Sequence, residues 1–271
     1  MPRRLSDAVS YVRAGDRDYL LDAAICGVAQ WAVDETLAVT EAEAMRTFGL
    51  VNQAHLLETD EQLAAQREKF DWYVRAGARG ERMIVGHFVH PSEEIVDACA
   101  EAGCVVSRQP VANGRLASGA ADVIGLRDRG VRLGLGLDDH ACSDVSDAWQ
   151  NMRVGPVPVP RCHWHHRAAA ADVLRMQALG AAEIIGVADQ VGSLEMGKRA
   201  DLLVVDPRRP DVGPLHDPLA SYVLSMTLRN LRAVYVGAQQ VADDGGAHLS
   251  ADGRLNAEVH ERFGPRPELA R

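Results

Sequence analysis

Side chains able to move protons or hold a metal recur at the ends of apolar runs in this chain. His55 closes LVNQAH and has Glu58 three residues on. His87 closes RMIVGH, with His90 close behind. Asp138 closes VRLGLGLD and is followed by Asp139 and His140. Imidazole and carboxylate together suit one divalent ion, zinc ahead of iron. Such an ion makes water nucleophilic near neutral pH, and neighbouring carboxylates can carry the protons. One histidine at a strand end is ordinarily a hydrogen-bonded polar residue. Several such residues at successive strand ends would converge on one mouth, which is a stronger signal.

The elements that must position them follow from the apolar pattern. Strands are expected over 24–29, 50–55, 82–86, 104–107 and 131–137, and helices over 33–49, 59–77, 92–102, 120–129 and 168–186. Ser92 is expected to start a helix and Thr40 to cap a second turn, while Gly49, Gly103 and Gly130 end helices. Strands alternating with helices imply parallel βαβ units, and strands apolar throughout imply cover on both faces. In such folds chemistry gathers at the C-terminal strand ends. Arg108 falls at one of these ends, where it faces substrate or makes a surface ion pair. Trp31 follows the first strand and either packs or lines a substrate mouth. Trp72 and Trp149 are expected to pack, Asn113 to hold its loop, and Asp144 to brace the loop after Asp138. A proline-rich stretch, 154–162, is the best internal boundary. Beyond it, 200–205, 223–226 and 231–238 read as β-structure, and the polar C-terminal end reads as a loosely held tail.

Composition excludes several classes. The chain has 271 residues, 47% apolar and 25% charged, which excludes disorder, a collagen-like chain and a disulfide-stapled miniprotein. Lys plus Arg is 29 against 38 Asp plus Glu, a formal charge of −9, so no nucleic-acid footprint is present. No run approaches the ~20 apolar residues of a membrane span, and the start does not read as a signal peptide. The five cysteines (Cys26, Cys99, Cys104, Cys142 and Cys162) include no CxxC pair. They read as reduced thiols in a cytoplasmic protein, with Cys99 and Cys104 buried as small side chains. GSLEMGK (192–198) matches the start of a phosphate loop, but Arg199 follows and the order is helix to strand, so a turn is expected.

Four segments in order resemble the metal-dependent amidohydrolases, in the branch of cytosine deaminase-like, guanine deaminase-like and triazine-hydrolase-like enzymes. They are HLLET (55–59), GHFVHPSEEI (86–95), PVANGRLASG (110–119) and GLGLDD (134–139). VGSLEMGKRADLLVVD (191–206) and HDPLAS (216–221) resemble the tail that follows the barrel in that family. The resemblance implies an α/β fold: a (β/α) TIM barrel, incomplete, with strands four to eight in residues 1–190 and a small C-terminal β segment and tail in 191–271. It implies His55 as metal ligand, Glu58 as a proton shuttle touching substrate, and His87 as a ligand or as the group that orients the attacking water. Asp138 would bind the metal and accept the water's proton. The implied reaction is hydrolysis of a C–N bond, the deamination of a small purine-, pyrimidine- or triazine-like heterocycle.

The family's N-terminal HxH pair has no counterpart, since the first histidine is His55. The chain therefore reads as beginning about three strands into the barrel. The alternative function is an inactive remnant that serves as a structural or interaction partner. Open barrel edges favour a homo-oligomer or a complementing chain. His163 and His165 form an HxH that is a candidate replacement for the missing pair in the metal site, although the prolines before them disfavour a central strand.

Overall fold

The computed structural model describes residues 3–15, 21–144, 146–155, 170–210, 212–243 and 246–247. After an N-terminal helix α1 (Arg3–Ala14), five strands alternate with helices. They are β1 (Ala24–Gly27), β2 (Val51–Leu56), β3 (Met83–His87), β4 (Val105–Arg108) and β5 (Arg132–Leu135). All pair in parallel in sequential order, β1-β2-β3-β4-β5. Sequential parallel order with crossover helices is barrel topology, present among the described residues as an open arc.

Local signals set the helix limits. In α2 (Thr36–Phe48), Asp34 Oδ1 accepts the Thr36 N–H at 2.8 Å, and Gly49 stops the helix at φ 68°. Thr40 lies one turn inside and donates its hydroxyl to Thr36 O, so it is not the expected cap. The helix expected from residue 59 begins later, as α3 (Leu63–Ala76), because Gln62 is left-handed and the Gln66 amide turns back to Thr59 O. Ser92 accepts the Ile95 N–H and starts α4 (Glu93–Ala102), as expected.

The chain then forms α5 (Pro110–Arg115), α6 (Val123–Asp128), α7 (His140–Ser143) and α8 (Ala148–Val154). Of these, only α6 was expected. α9 (Ala170–Arg175) continues through a π-helical turn, Met176–Gly180, into α10 (Ala181–Ile185).

Each face of the parallel sheet is covered. Ala54, Leu56, Val85, Val106 and Leu133 belong to one buried cluster with Met45, Phe70, Tyr73 and Ile95 of α2, α3 and α4. On the other face, Ile84 and Val105 pack with Ile184 of α10, and Val51 joins them. The two edges differ. A Cβ on Gly180 would stand 2.5 Å from Leu133 O, so the π-helical turn lies directly against β5, whose one strand partner among the described residues is β4. β1 leaves Ala24 and Cys26 exposed.

A second, antiparallel sheet has the order β6 (Leu202–Val205), β7 (Leu231–Val236), β8 (Gln239–Asp243), β9 (Gly246–Ala247). The strand expected at 223–226 is instead largely the end of a helix, α11 (Pro218–Leu224). Asp217 Oδ1 accepts the Leu219 and Ala220 N–H groups at 3.0 Å, and Pro218 occupies the first turn. That N-terminal signal outweighs a four-residue apolar run. Most of the proline-rich stretch, His163, His165 and the C-terminal tail lie outside the described residues.

Candidate metal centre

β2 and β3 bring the two histidines together. Their register sets His55 opposite Gly86 and Leu56 opposite His87. A Cβ on Gly86 would sit 3.1 Å from His55 Cδ2, so a larger residue would press on the ring. His87, Phe88 and Asp138 take left-handed φ angles of 63°, 51° and 68°. Such backbone costs a non-glycine residue roughly 1–2 kcal/mol and concentrates at functional sites. Hydrogen bonds hold the turn. His87 N–H donates to Gln109 Oε1 at 2.8 Å, and His90 N–H to Leu57 O at 2.9 Å.

His87 Nε2 lies 3.1 Å from His55 Nδ1 and 3.6 Å from Asp138 Oδ2. One ligand atom from each of His55, His87 and Asp138 lies within 4.8 Å of the others. Donors placed ~2.0–2.1 Å from a tetrahedral zinc stand roughly 3–3.5 Å apart, so this set fits such an ion. The His87 side chain is 0% exposed and that of Asp138 5%. Burial, followed by the neighbouring His87, pulls the His55 pKa below its ordinary value, while Asp138, Glu58 and Asp139 oppose that shift. The net result favours the neutral imidazole that a metal requires.

On the other side of the ring, His87 Nδ1 is 2.7 Å from Asn113 Oδ1 and 3.7 Å from Glu58 Oε1. Ser118 Oγ donates to Glu58 Oε1 at 3.2 Å, and His90 Nε2 donates to Ser118 O at 2.8 Å. Trp31 is 66% exposed, its ring centroid 6.1 Å from that of His55. Trp72 and Trp149 are buried.

Arg108 does not join the cluster. It is 3% exposed, with Nη1 donating to Gly155 O at 2.8 Å, and burial lowers its pKa to about 10. The guanidinium reaches the end of α8 through Nη1, while its buried Nε has no partner among the described residues, and its burial excludes the alternative surface ion pair. Asp144 pairs with Arg115, tying α7 to α5. A cavity of about 520 Å³ lies elsewhere, between α6, β5 and the α9–α10 helix, and its lining includes none of these site residues.

Sequence reasoning passed over Gln109 and Ser118 and gave Asn113 only a loop-holding role. They are neutral side chains whose types carry no chemical signal. Their one legible sign was membership of, or adjacency to, the PVANGRLASG segment.

The model of the Amidohydrolase family matches residues 4–245, and the chain belongs to that family. It is 29% identical over 228 residues to a 5-methylthioadenosine/S-adenosylhomocysteine deaminase of Symbiobacterium thermophilum, covering 81% of this chain and 52% of the relative. It is 32% identical over 176 residues to an S-triazine hydrolase of Gordonia rubripertincta, covering 62% of this chain and 35% of that one. The chain thus spans about half, or less, of the length of these curated relatives. The crystal structure of a zinc-bound adenosine deaminase from Xanthomonas campestris superposes with a TM-score of 0.85 at 24% identity, covering 95% of this chain and 60% of that one. The fold is accordingly the amidohydrolase (β/α) barrel, represented among the described residues by five parallel strands and a small C-terminal antiparallel sheet.

Proposed function

We propose that this chain carries the metal-dependent hydrolytic site of a heterocycle deaminase, with His55, His87 and Asp138 holding one divalent ion, zinc ahead of iron. The convergence of these three donors within 4.8 Å, from the ends of three different strands, carries the reading. A bound ion would supply a hydroxide-like nucleophile at neutral pH. Asp138 lies against His87 and would take the proton from the attacking water. Glu58, half-buried and 3.7 Å from the far side of His87, would deliver a proton to the ring or the leaving nitrogen. Trp31 would stack on a flat heterocycle entering the mouth. Relatives named as deaminases of 5-methylthioadenosine and as S-triazine hydrolases support a purine- or triazine-like substrate class. The exposed edge of β1 is where a complementing chain or a second copy would add a strand.

The test is ammonia release by the zinc-loaded chain from a panel of amino-purines, amino-pyrimidines and amino-triazines. Turnover is expected with at least one ring class and is expected to fall at least a hundredfold in Glu58→Gln. Absence of ammonia across the panel, or full turnover by the variant, contradicts the assignment.

A further inference from the structure

The loop after β4 reaches the candidate centre from behind. Asn113 is 1% exposed, on α5, and its Oδ1 stands 2.7 Å from His87 Nδ1. An amide oxygen only accepts, so with Oδ1 turned to the ring and Nδ2 left without a partner among the described residues, a neutral His87 carries its proton on Nδ1. That leaves the Nε2 lone pair turned toward His55 Nδ1 and Asp138 Oδ2, at 3.1 and 3.6 Å. Glu58 Oε1 also faces Nδ1, at 3.7 Å, beyond hydrogen-bond reach. Asn113 Oδ1 therefore accepts the hydrogen bond from Nδ1–H, while Glu58 Oε1 accepts one from the Ser118 hydroxyl. The two holding groups belong to one short segment that also closes on itself, with Ser118 N–H donating to Asn113 O at 2.9 Å.

We infer that Asn113 is a positioning residue that fixes the tautomer and orientation of His87, so that Nε2 is the atom offered to the metal. The inference rests on the metal reading above for its affinity consequence, but its tautomer consequence stands on this chain alone. A second hydrogen bond behind a ligating histidine commonly changes metal affinity 10–100-fold, roughly the effect expected here.

The experiment uses the full chain as wild type, Asn113→Ala and Asn113→Asp. Cobalt(II) affinity is measured by competition with a chromogenic chelator. The protonated ring nitrogen of His87 is assigned from ¹⁵N shifts in the metal-free protein. Wild type is expected to show the Nδ1–H form. Asn113→Ala is expected to lose that preference and to bind cobalt roughly ten- to a hundredfold more weakly. Asn113→Asp has acceptor oxygens in the same place, so it should keep both properties. Unchanged tautomer and affinity in Asn113→Ala would overturn the inference, as would an Asn113→Asp protein as impaired as the alanine variant. Failure of wild type to bind cobalt while its ring still shows the Asn113-dependent Nδ1–H form would overturn the metal reading and leave the tautomer assignment supported.

Discussion

Two polar clusters sit against the same sheet and behave in opposite ways. The first surrounds Glu41 on α2, only 7% exposed. Its carboxylate accepts from Tyr73 OH at 2.5 Å, Asn52 Nδ2 at 3.0 Å and Val28 N–H at 2.8 Å. Burial and the adjacent carboxylate hold the Tyr73 hydroxyl far above its ordinary pKa. Every one of these donors points at the carboxylate, so the charge is satisfied within the protein. The second cluster is His55, His87 and Asp138. There two imidazoles and a carboxylate present ligand atoms to one another, on backbone that is left-handed at His87 and Asp138. The first cluster is closed and structural; the second turns three ligand atoms, all within 4.8 Å, toward one another. Burial and polarity alone do not separate the two, whereas the direction of donors and acceptors does.

That contrast gives graded expectations. Glu41→Ala strands three donors in the interior and should cost roughly 3 kcal/mol or more in urea unfolding, with metal binding per folded molecule unchanged. A cost under about 1 kcal/mol would remove the distinction between the clusters. Trp31→Ala should leave unfolding within about 0.5 kcal/mol of wild type. It should weaken binding of a substrate heterocycle roughly tenfold, the scale of one lost base–aromatic stack. Equal heterocycle affinity would take Trp31 out of the mouth.

The smallest effect belongs to an exposed closed pair. Arg13 holds the Asp22 carboxyl below its ordinary value through a 3.1 Å bond, with both side chains more than two-fifths exposed. Solvent screening leaves such an exposed pair only a small contribution. Because the folded pKa is depressed, the contribution is present above pH 3.8 and is lost as pH falls through the lowered folded value. The stability difference between wild type and Arg13→Ala should therefore shrink on acidification through that window. A difference that grows with acid would contradict the sign.

Much of this was legible in the sequence, for physical reasons that differ from residue to residue. All five parallel strands were marked by short apolar runs, and Gly49 and Gly103 marked helix ends through their left-handed backbone. The apolar runs placed His55, His87 and Asp138 near strand ends; the β2–β3 register sets the two histidines side by side, and Asp138 follows the end of β5 at Leu135. Helix α5 was not legible because Pro, Asn and Gly in PVANGR give it the composition of a loop, although Pro110 fits the first helical turn. The 223–226 error came from reading apolarity without the Asp217–Pro218 start signal. The fate of Arg108 depended on Gly155, 47 residues away, a contact that periodicity cannot show. The Asn113–His87 contact likewise spans 26 residues.

The central claim is that the open cluster holds one divalent ion, and a zinc titration of wild type and Asp138→Asn tests it most directly. Asparagine tolerates the left-handed backbone at position 138, so the variant should fold as wild type does. Wild type is expected to bind about one equivalent, and the variant at least roughly a hundredfold more weakly through the loss of a charged ligand. Less than roughly a tenth of an equivalent in wild type, or equal affinity in Asp138→Asn, would contradict it.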